Sequence, residues 1–279
     1  MPPDQEGLTV TIVTDSSAAL ETAVAAAAGI IVVPMRVTVG GIAYRDSDLA
    51  PAELVARFDE GVTTSAPAPG DFARVFADVP GEILVITVAR QLSGTMAAAR
   101  LAAADAGPRV RVLDGGTSAG SQALIALHAA AAARDGAGLA QVEAAARRAA
   151  SRVRLVAALG TLDYLVRGGR LPGPIGSLGS RLGVRPLVEL RAGRVLRRRP
   201  AFSKRAADER MVGMLLRSRA PGTRLHVIAL HVLAEAQAQA LLDRVRSEVE
   251  PETGLVARFG PAMVAHTGPD LTGLSWWWE

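Results

Sequence analysis

The chain has 279 residues, of which 49% are hydrophobic and 21% charged. This excludes a disordered polymer and suits two domains of ordinary size. It contains no cysteine, which excludes disulfides, thiolate metal sites and a cysteine nucleophile. The 31 basic and 27 acidic residues leave a modest net charge of +4. Lys204 is the single lysine, and the excess of arginine and alanine reads as a bias of the source genome.

The first residues, Met1 to Glu6, are acidic, whereas a secretory signal begins with positive charge. The longest apolar run, 123–133, contains His128 and is too short to span a bilayer. The expectation is a soluble cytoplasmic protein.

In chain order, residues 8–13 (LTVTIV) form a β-branched run ending at Thr14-Asp15-Ser16-Ser17, whose polar side chains open a helix over 18–28. Residues 30–33 read as a second strand. Residues 36–39 and 42–44 flank Gly40-Gly41 as a hairpin, and Pro51 starts a short helix over 52–59. Thr63-Thr64-Ser65-Ala66-Pro67-Ala68-Pro69-Gly70 reads as a rigid, hydroxyl-bearing loop, because its prolines remove backbone donors. A helix over 71–77 and a buried strand over 83–87 lead into Gln91-Leu92-Ser93-Gly94-Thr95 and a helix over 96–106. A strand over 110–113 and helices over 118–133 and 139–150 follow. This alternation predicts a parallel sheet with helices on both faces, and ligands in such sheets sit beyond the carboxyl ends of the strands.

Composition shifts near Ser151. The pattern predicts a strand over 153–159, a helix over 161–166 and a break at Gly168-Gly169-Arg170. Glycines at 173, 176, 179 and 183 would give a helix one flat face. Antiparallel strands over 184–190 and 195–199 come next, followed by a helix over 203–217 capped by Ser203. A strand over 225–231, a helix over 233–249 and a strand over 255–259 complete the pattern. Of Trp276, Trp277 and Trp278, at least one is expected to pack onto the body with the others exposed; the alternative is an anchor for a membrane or a partner.

Gly116-Thr117-Ser118-Ala119-Gly120 fits G-x-S-x-G in a strand–turn–helix context, so a serine hydrolase or esterase using Ser118 is the alternative functional reading. Asp163 and then His226, His231 or His266 would complete its triad. No G-x-G-x-x-G or Walker lysine follows a strand. Arg194-Val195-Leu196-Arg197-Arg198-Arg199 alternates like a solvated strand face and has no interleaved aromatics, so no nucleic-acid partner is expected. His226 and His231 read as structural, and no His and carboxylate spacing suggests a metal. Thr64-Ser65, Ser93-Gly94-Thr95 and His266-Thr267-Gly268 remain. They combine neutral donors, a helix N-terminus and an imidazole, a set that suits a carboxylate or phosphate.

Several ordered segments resemble the DegV family of bacterial fatty-acid-binding proteins. They are Val13-Thr14-Asp15-Ser16, Val33-Pro34-Met35-Arg36-Val37, Tyr44-Arg45-Asp46, the Thr64 to Phe72 stretch and Leu92-Ser93-Gly94-Thr95. The series continues with Leu162 to Arg170, Gly183-Val184-Arg185-Pro186-Leu187, Gly260-Pro261 and His266-Thr267-Gly268-Pro269. The resemblance implies two α/β domains: an N-terminal three-layer domain with a parallel sheet over 1–152, and a C-terminal two-layer domain with a mixed sheet over 153–279. One palmitate-like long-chain fatty acid would lie between them. Thr64 and Ser93 would hold its carboxylate, His266 would complete the polar end, and Ser65, Gly94 and Thr95 would adjoin it. It further implies a non-catalytic carrier without cofactor, which in some members presents its cargo to a separate kinase that makes an acyl-phosphate; no metal or stable membrane insertion is expected, and a monomer is the default expectation.

Ala66 stands where the family has glutamine, and Ala201-Phe202-Ser203 where it has arginines alternating with threonine. About fourteen methylenes at roughly 0.8 kcal/mol each supply on the order of 11 kcal/mol gross. Ordering and carboxylate desolvation reduce this. Affinity then needs a long apolar tunnel and a few donors, and a neutral set fits a releasable cargo better than an arginine clamp.

Overall fold

The computed structural model describes residues 10–173 and 183–279. In chain order the first half contains β1 (Val10–Asp15), α1 (Thr22–Ala27), β2 (Ile30–Val33), β3 (Arg36–Val39), β4 (Ile42–Arg45), α2 (Pro51–Ala56), β5 (Val62–Ser65) and α3 (Pro69–Asp78). It continues with β6 (Glu82–Thr87), α4 (Thr95–Ala106), β7 (Val110–Asp114), α5 (Ala119–Arg134) and α6 (Leu139–Ala150). The second half contains β8 (Arg154–Leu159), α7 (Asp163–Arg167), β9 (Arg185–Arg191), β10 (Arg194–Ala201), α8 (Lys204–Arg217) and β11 (Leu225–His231). It ends with α9 (Glu235–Arg246), β12 (Thr253–Arg258), α10 (Pro261–Thr267) and β13 (Leu271–Trp278). Residues 8 and 9 of the expected first strand, and 174–182 of the expected glycine-spaced helix, lie outside the described residues.

Strands β2-β1-β6-β7 form a parallel sheet. Their near-continuous apolar runs follow from cover on both faces. Val13, Ile83 and Val85 point towards Phe72 and Phe76 of α3 and Ala99 of α4. Ile12, Leu84 and Ile86 point the other way, into the cluster holding Ala123, Ala126 and Val142 of α5 and α6. This is the expected three-layer arrangement. The second sheet, β10-β9-β8-β13-β11-β12, is mixed: β11 and β12 are parallel and the other pairs antiparallel. Helices α8 and α9 cover one face, where Val156 and Ala158 of β8 meet Met211, Leu215 and Leu241.

Helix α5 lies between the two sheets, touching β1 and β6 on one side and β8, β11 and β13 on the other. A helix wedged between sheets needs small side chains. A Cβ on Gly120 would stand 3.0 Å from the Ser275 side chain and 3.1 Å from that of Ile228. The alanine wealth of α5 therefore has a packing role beyond genome bias.

Several expectations need correction. The polar residues after β1 form a 3-10 turn at Ser16–Ala18, not the start of a helix. Ala19 then turns left-handed at φ 51, and α1 begins only at Thr22. The hydroxyl-bearing segment is not all loop. Thr63 to Ser65 belong to β5, an edge strand that extends the β3–β4 hairpin into a three-stranded antiparallel sheet. Pro69 and Gly70 open α3, where a proline's missing N–H costs nothing. The chain's last segment is not an appended tail. Strand β13 lies inside the mixed sheet, and Trp276, Trp277 and Trp278 are all buried, where two were expected exposed. Trp276 and Trp278 lie on one face and donate their indole N–H groups to Ser218 Oγ at 2.8 and 3.1 Å. Ser203, by contrast, caps α8 as expected, accepting from the Ala206 N–H at 3.0 Å.

Among the described residues no helix is long and apolar enough to cross a membrane, and no cluster of three or more His, Asp or Glu could hold a metal ion.

Candidate functional site

The carboxyl ends of β1, β6 and β7 face the β8–β9 surface of the mixed sheet across a cavity of about 360 Å³. Its walls are aliphatic. Leu155, Ala157 and Leu159 alternate along β8, Val188 and Leu190 along β9, and Leu271 starts β13. The two-residue period of these strands sends one set of side chains to the cavity and the other to α8 and α9.

One end of the cavity is polar, and four segments meet there. Strand β5 carries Thr64, held in register opposite Val37 of β3. The following loop is fixed by Asp71, which accepts from the Ala68 N–H at 2.9 Å and pairs with Arg36 of β3 at 3.0 Å. Ser93 and Gly94 precede α4 and so bring the first-turn amides and positive dipole end of a 12-residue helix to the site. Helix α10 carries His266. Its first turn is tied to the hairpin sheet by the Ala262 N–H, which donates to buried Asp46 at 2.7 Å. Arg170 comes from the turn after α7.

Thr64 Oγ1 and His266 Nε2 are 2.7 Å apart. His266 Nδ1 is buried and has no partner. A buried N–H without an acceptor is costly. The ring proton therefore belongs on Nε2, which donates to Thr64 and leaves the threonine's own proton available to a ligand. Burial, aided by the positive charge of Arg170, holds the His266 imidazole down to about 4, so it is neutral at physiological pH. Arg170 donates Nε–H to the Leu92 carbonyl at 3.0 Å, and burial pushes its pKa down. Among the described residues it has no carboxylate partner.

Of the residues singled out in the sequence, Thr64, Ser65, Ser93, Gly94 and His266 all line this cavity. Thr95 does not. It is buried behind Ser93, with its Oγ1 2.8 Å from Ser93 Oγ and its N–H donating to the same atom at 3.3 Å. Arg170 was missed as a site residue, and its presence corrects the expectation of an uncharged polar end. The signal was an arginine directly after a Gly-Gly break. Ala66 lines the cavity without a polar group, whereas Phe202 is exposed and Ala201 buried away from it. Thr64, His266 and Arg170 also border a second, outer chamber of about 450 Å³, together with Phe58, Tyr164 and Arg167. These three side chains thus stand between the aliphatic cavity and a chamber of mixed lining.

Ser118 lines the cavity but is not built as a nucleophile. Its φ is −153°, and the left-handed residue of the turn is Ala119. Its hydroxyl donates to the Ser17 carbonyl at 3.4 Å and approaches Met263 Sδ at 3.6 Å. Among the described residues no histidine is hydrogen-bonded to it. His226 bonds Thr253 and Glu279, and His231 accepts from the Ala234 N–H. The G-x-S-x-G reading therefore lacks its base.

Fold and cavity define a class: an α/β protein in which a parallel and a mixed sheet enclose an aliphatic cavity with hydroxyl, imidazole and guanidinium groups at one end. A family model described as uncharacterised protein, DegV family, matches residues 9–279. A DegV domain-containing protein of Streptomyces coelicolor is 34% identical over 275 residues, covering 95% of this chain and 97% of its own. The solved structure of a fatty-acid-binding DegV family protein from Thermus thermophilus is 30% identical. It superposes with a TM-score of 0.89, covering 97% of this chain and 100% of its own. A DegV lipid-binding protein from Thermotoga maritima is 25% identical with a TM-score of 0.87, covering 97% and 98%. The chain belongs to the DegV family.

Proposed function

We propose that this protein binds one long-chain fatty acid of about palmitate length, with the tail in the aliphatic cavity and the carboxylate at Thr64, Ser93, His266 and Arg170. The observation that carries the reading is the pairing of an aliphatic interior with a polar end whose hydrogen-bonding capacity is unspent. The Nε2–H of His266 donates to Thr64, and Thr64 donates to the carboxylate. Thr95 can donate to Ser93, which frees the Ser93 proton for the second oxygen. Arg170 supplies the balancing charge, and the α4 N-terminus adds its dipole. Ser65 and Gly94 border the head group, and Thr95 acts through Ser93.

The protein acts as a carrier and not as a catalyst. The carboxylate end faces the outer chamber while the tail is covered, which suits presentation to a separate kinase that forms an acyl-phosphate. We place the division between the two domains at 152/153, just ahead of β8.

Mass spectrometry of denatured protein from a heterologous host is expected to release one fatty acid per chain, and delipidated protein to rebind palmitate. Recovery of no fatty acid, together with failure to rebind, would sink the reading.

A further inference from the structure

His266 and Tyr164 are each seated on a glycine of the other's segment. Gly168 ends α7, and a Cβ built on it would stand 2.5 Å from His266 Nδ1 and 3.2 Å from Cε1. Gly268 ends α10, and a Cβ there would stand 2.5 Å from both Cδ2 and Cε2 of Tyr164. Tyr164 is backed in turn by Phe58, with ring centroids 5.1 Å apart. The two segments interlock reciprocally, ring on glycine and glycine under ring. Gly168 has φ −74° and ψ −4°, which any residue adopts, so conformational freedom does not explain the glycine there. The space above it does. The ring atom nearest that position, Nδ1, is also the one without a hydrogen-bond partner.

We propose that Gly168 and Gly268 are positioning residues: their missing side chains let α7 and α10 lock together so that the His266 imidazole is pinned against Thr64. The inference rests on the fatty-acid reading only for its effect on affinity. The pinning itself is a property of the free protein. Gly268 has φ 76°, where any side chain is strained, so Gly168 gives the cleaner test.

In Gly168→Ala the added methyl displaces the ring towards the outer chamber. The charged and titratable groups around it are Arg170 and Arg167 on the same turn, Tyr164 beneath Gly268, and Asp59 across the chamber. An NMR titration of the free protein should then show the His266 imidazole rising from about 4 towards its ordinary value of 6.5. Palmitate affinity should fall on the order of tenfold. In a His266→Ala background, Gly168→Ala should cost no further affinity, because the residue it acts through is gone. Gly70→Ala, which adds a methyl into open space, is the control and should change neither readout.

An unmoved His266 titration, or an equal loss of affinity with and without His266, would overturn the proposal. If Gly168→Ala does not fold, the double variant decides. Its recovery supports a clash confined to His266, and its failure to fold overturns it. If wild-type protein binds no palmitate, the fatty-acid reading fails while the titration still judges the interlock.

Discussion

Two polar clusters lie by the carboxyl edge of the parallel sheet, one buried and one half-buried, and they are built on opposite plans. The first is saturated. Asp15 accepts from the N–H groups of Val88 at 2.8 Å and Ser17 at 3.1 Å, and from Gln122 Nε2 at 3.0 Å. Gln122 also reaches Thr14 Oγ1 at 2.9 Å, and Thr14 donates to the Ile86 carbonyl at 2.8 Å. The Ser17 hydroxyl bridges Asp15 and Gln122 Oε1. It has one proton for two acceptors, so both contacts are hydrogen bonds only when Asp15 carries a proton. Burial pushes the Asp15 carboxyl up, in the same direction. The second cluster, Thr64, His266, Ser93 and Arg170, is left short. It has one bond between its own side chains, an orphaned ring nitrogen and a cation without a carboxylate among the described residues. Saturated polar groups fasten β1, β6 and α5 together; unsaturated ones, on the proposed reading, wait for a ligand. The difference separates building from binding among residues of similar chemistry.

The comparison breaks first if Asp15 proves dispensable. Asp15→Ala would orphan the backbone N–H groups of Ser17 and Val88 at a fully buried position, while the Gln122 amide keeps Thr14 and the Ile86 carbonyl. At roughly 1–3 kcal/mol for each such group, the expected loss is about 4 kcal/mol of stability, read by chemical denaturation. A loss under about 1 kcal/mol would mean that this cluster is no more structural than the other.

The head-group cluster also leaves a mark on stability, through pH. An unfolded His266 takes up a proton near 6.5, whereas the folded one resists until about 4. As pH falls across that window the unfolded state gains protons first, so stability declines from about 6.5 down to about 4 and levels off below. The full difference is on the order of 3 kcal/mol. Denaturation of wild type and His266→Gln at pH 7 and pH 4.5 isolates it, because Asp15, His128 and His231 are common to both. The wild type should lose more stability than the variant on acidification; equal losses would show that the imidazole is not desolvated.

Legibility followed the range of the forces involved. The parallel sheet and its helices were readable because each element declares itself locally, by an apolar run or a proline at a helix start. Thr64, Ser93 and His266 stood out as neutral donors, a helix N-terminus and an imidazole, and the family resemblance joined them into one proposed set. Arg170 did not, because its neighbours at the cavity, the Leu92 carbonyl and the His266 ring, are far away in sequence. The same holds for β13. A Trp-rich end reads as partly exposed until β8 and β11 supply its neighbours on both sides. Saturation was also invisible, since Ser17 and Ser93 look alike until their partners are known.

Those two kinds of serine give the smallest and most discriminating test. Ser93 and Ser118 both line the cavity, both precede helices, and both are serines at the edge of the same sheet. Ser93 stands beside Gly94 at the polar end, with Thr95 able to donate to it, so its own proton is free for the proposed ligand. Ser118 already spends its proton on the Ser17 carbonyl, beside the saturated cluster. One hydrogen bond to a charged acceptor is worth about 1.5–3 kcal/mol, and solvent access at a half-buried position takes it to the lower end. Ser93→Ala is therefore expected to weaken palmitate binding by about tenfold, and Ser118→Ala by less than about twofold. Isothermal titration of delipidated protein reads both. The reverse ranking would move the head group to the other cluster, and ester hydrolysis abolished by Ser118→Ala would restore the nucleophile-elbow reading.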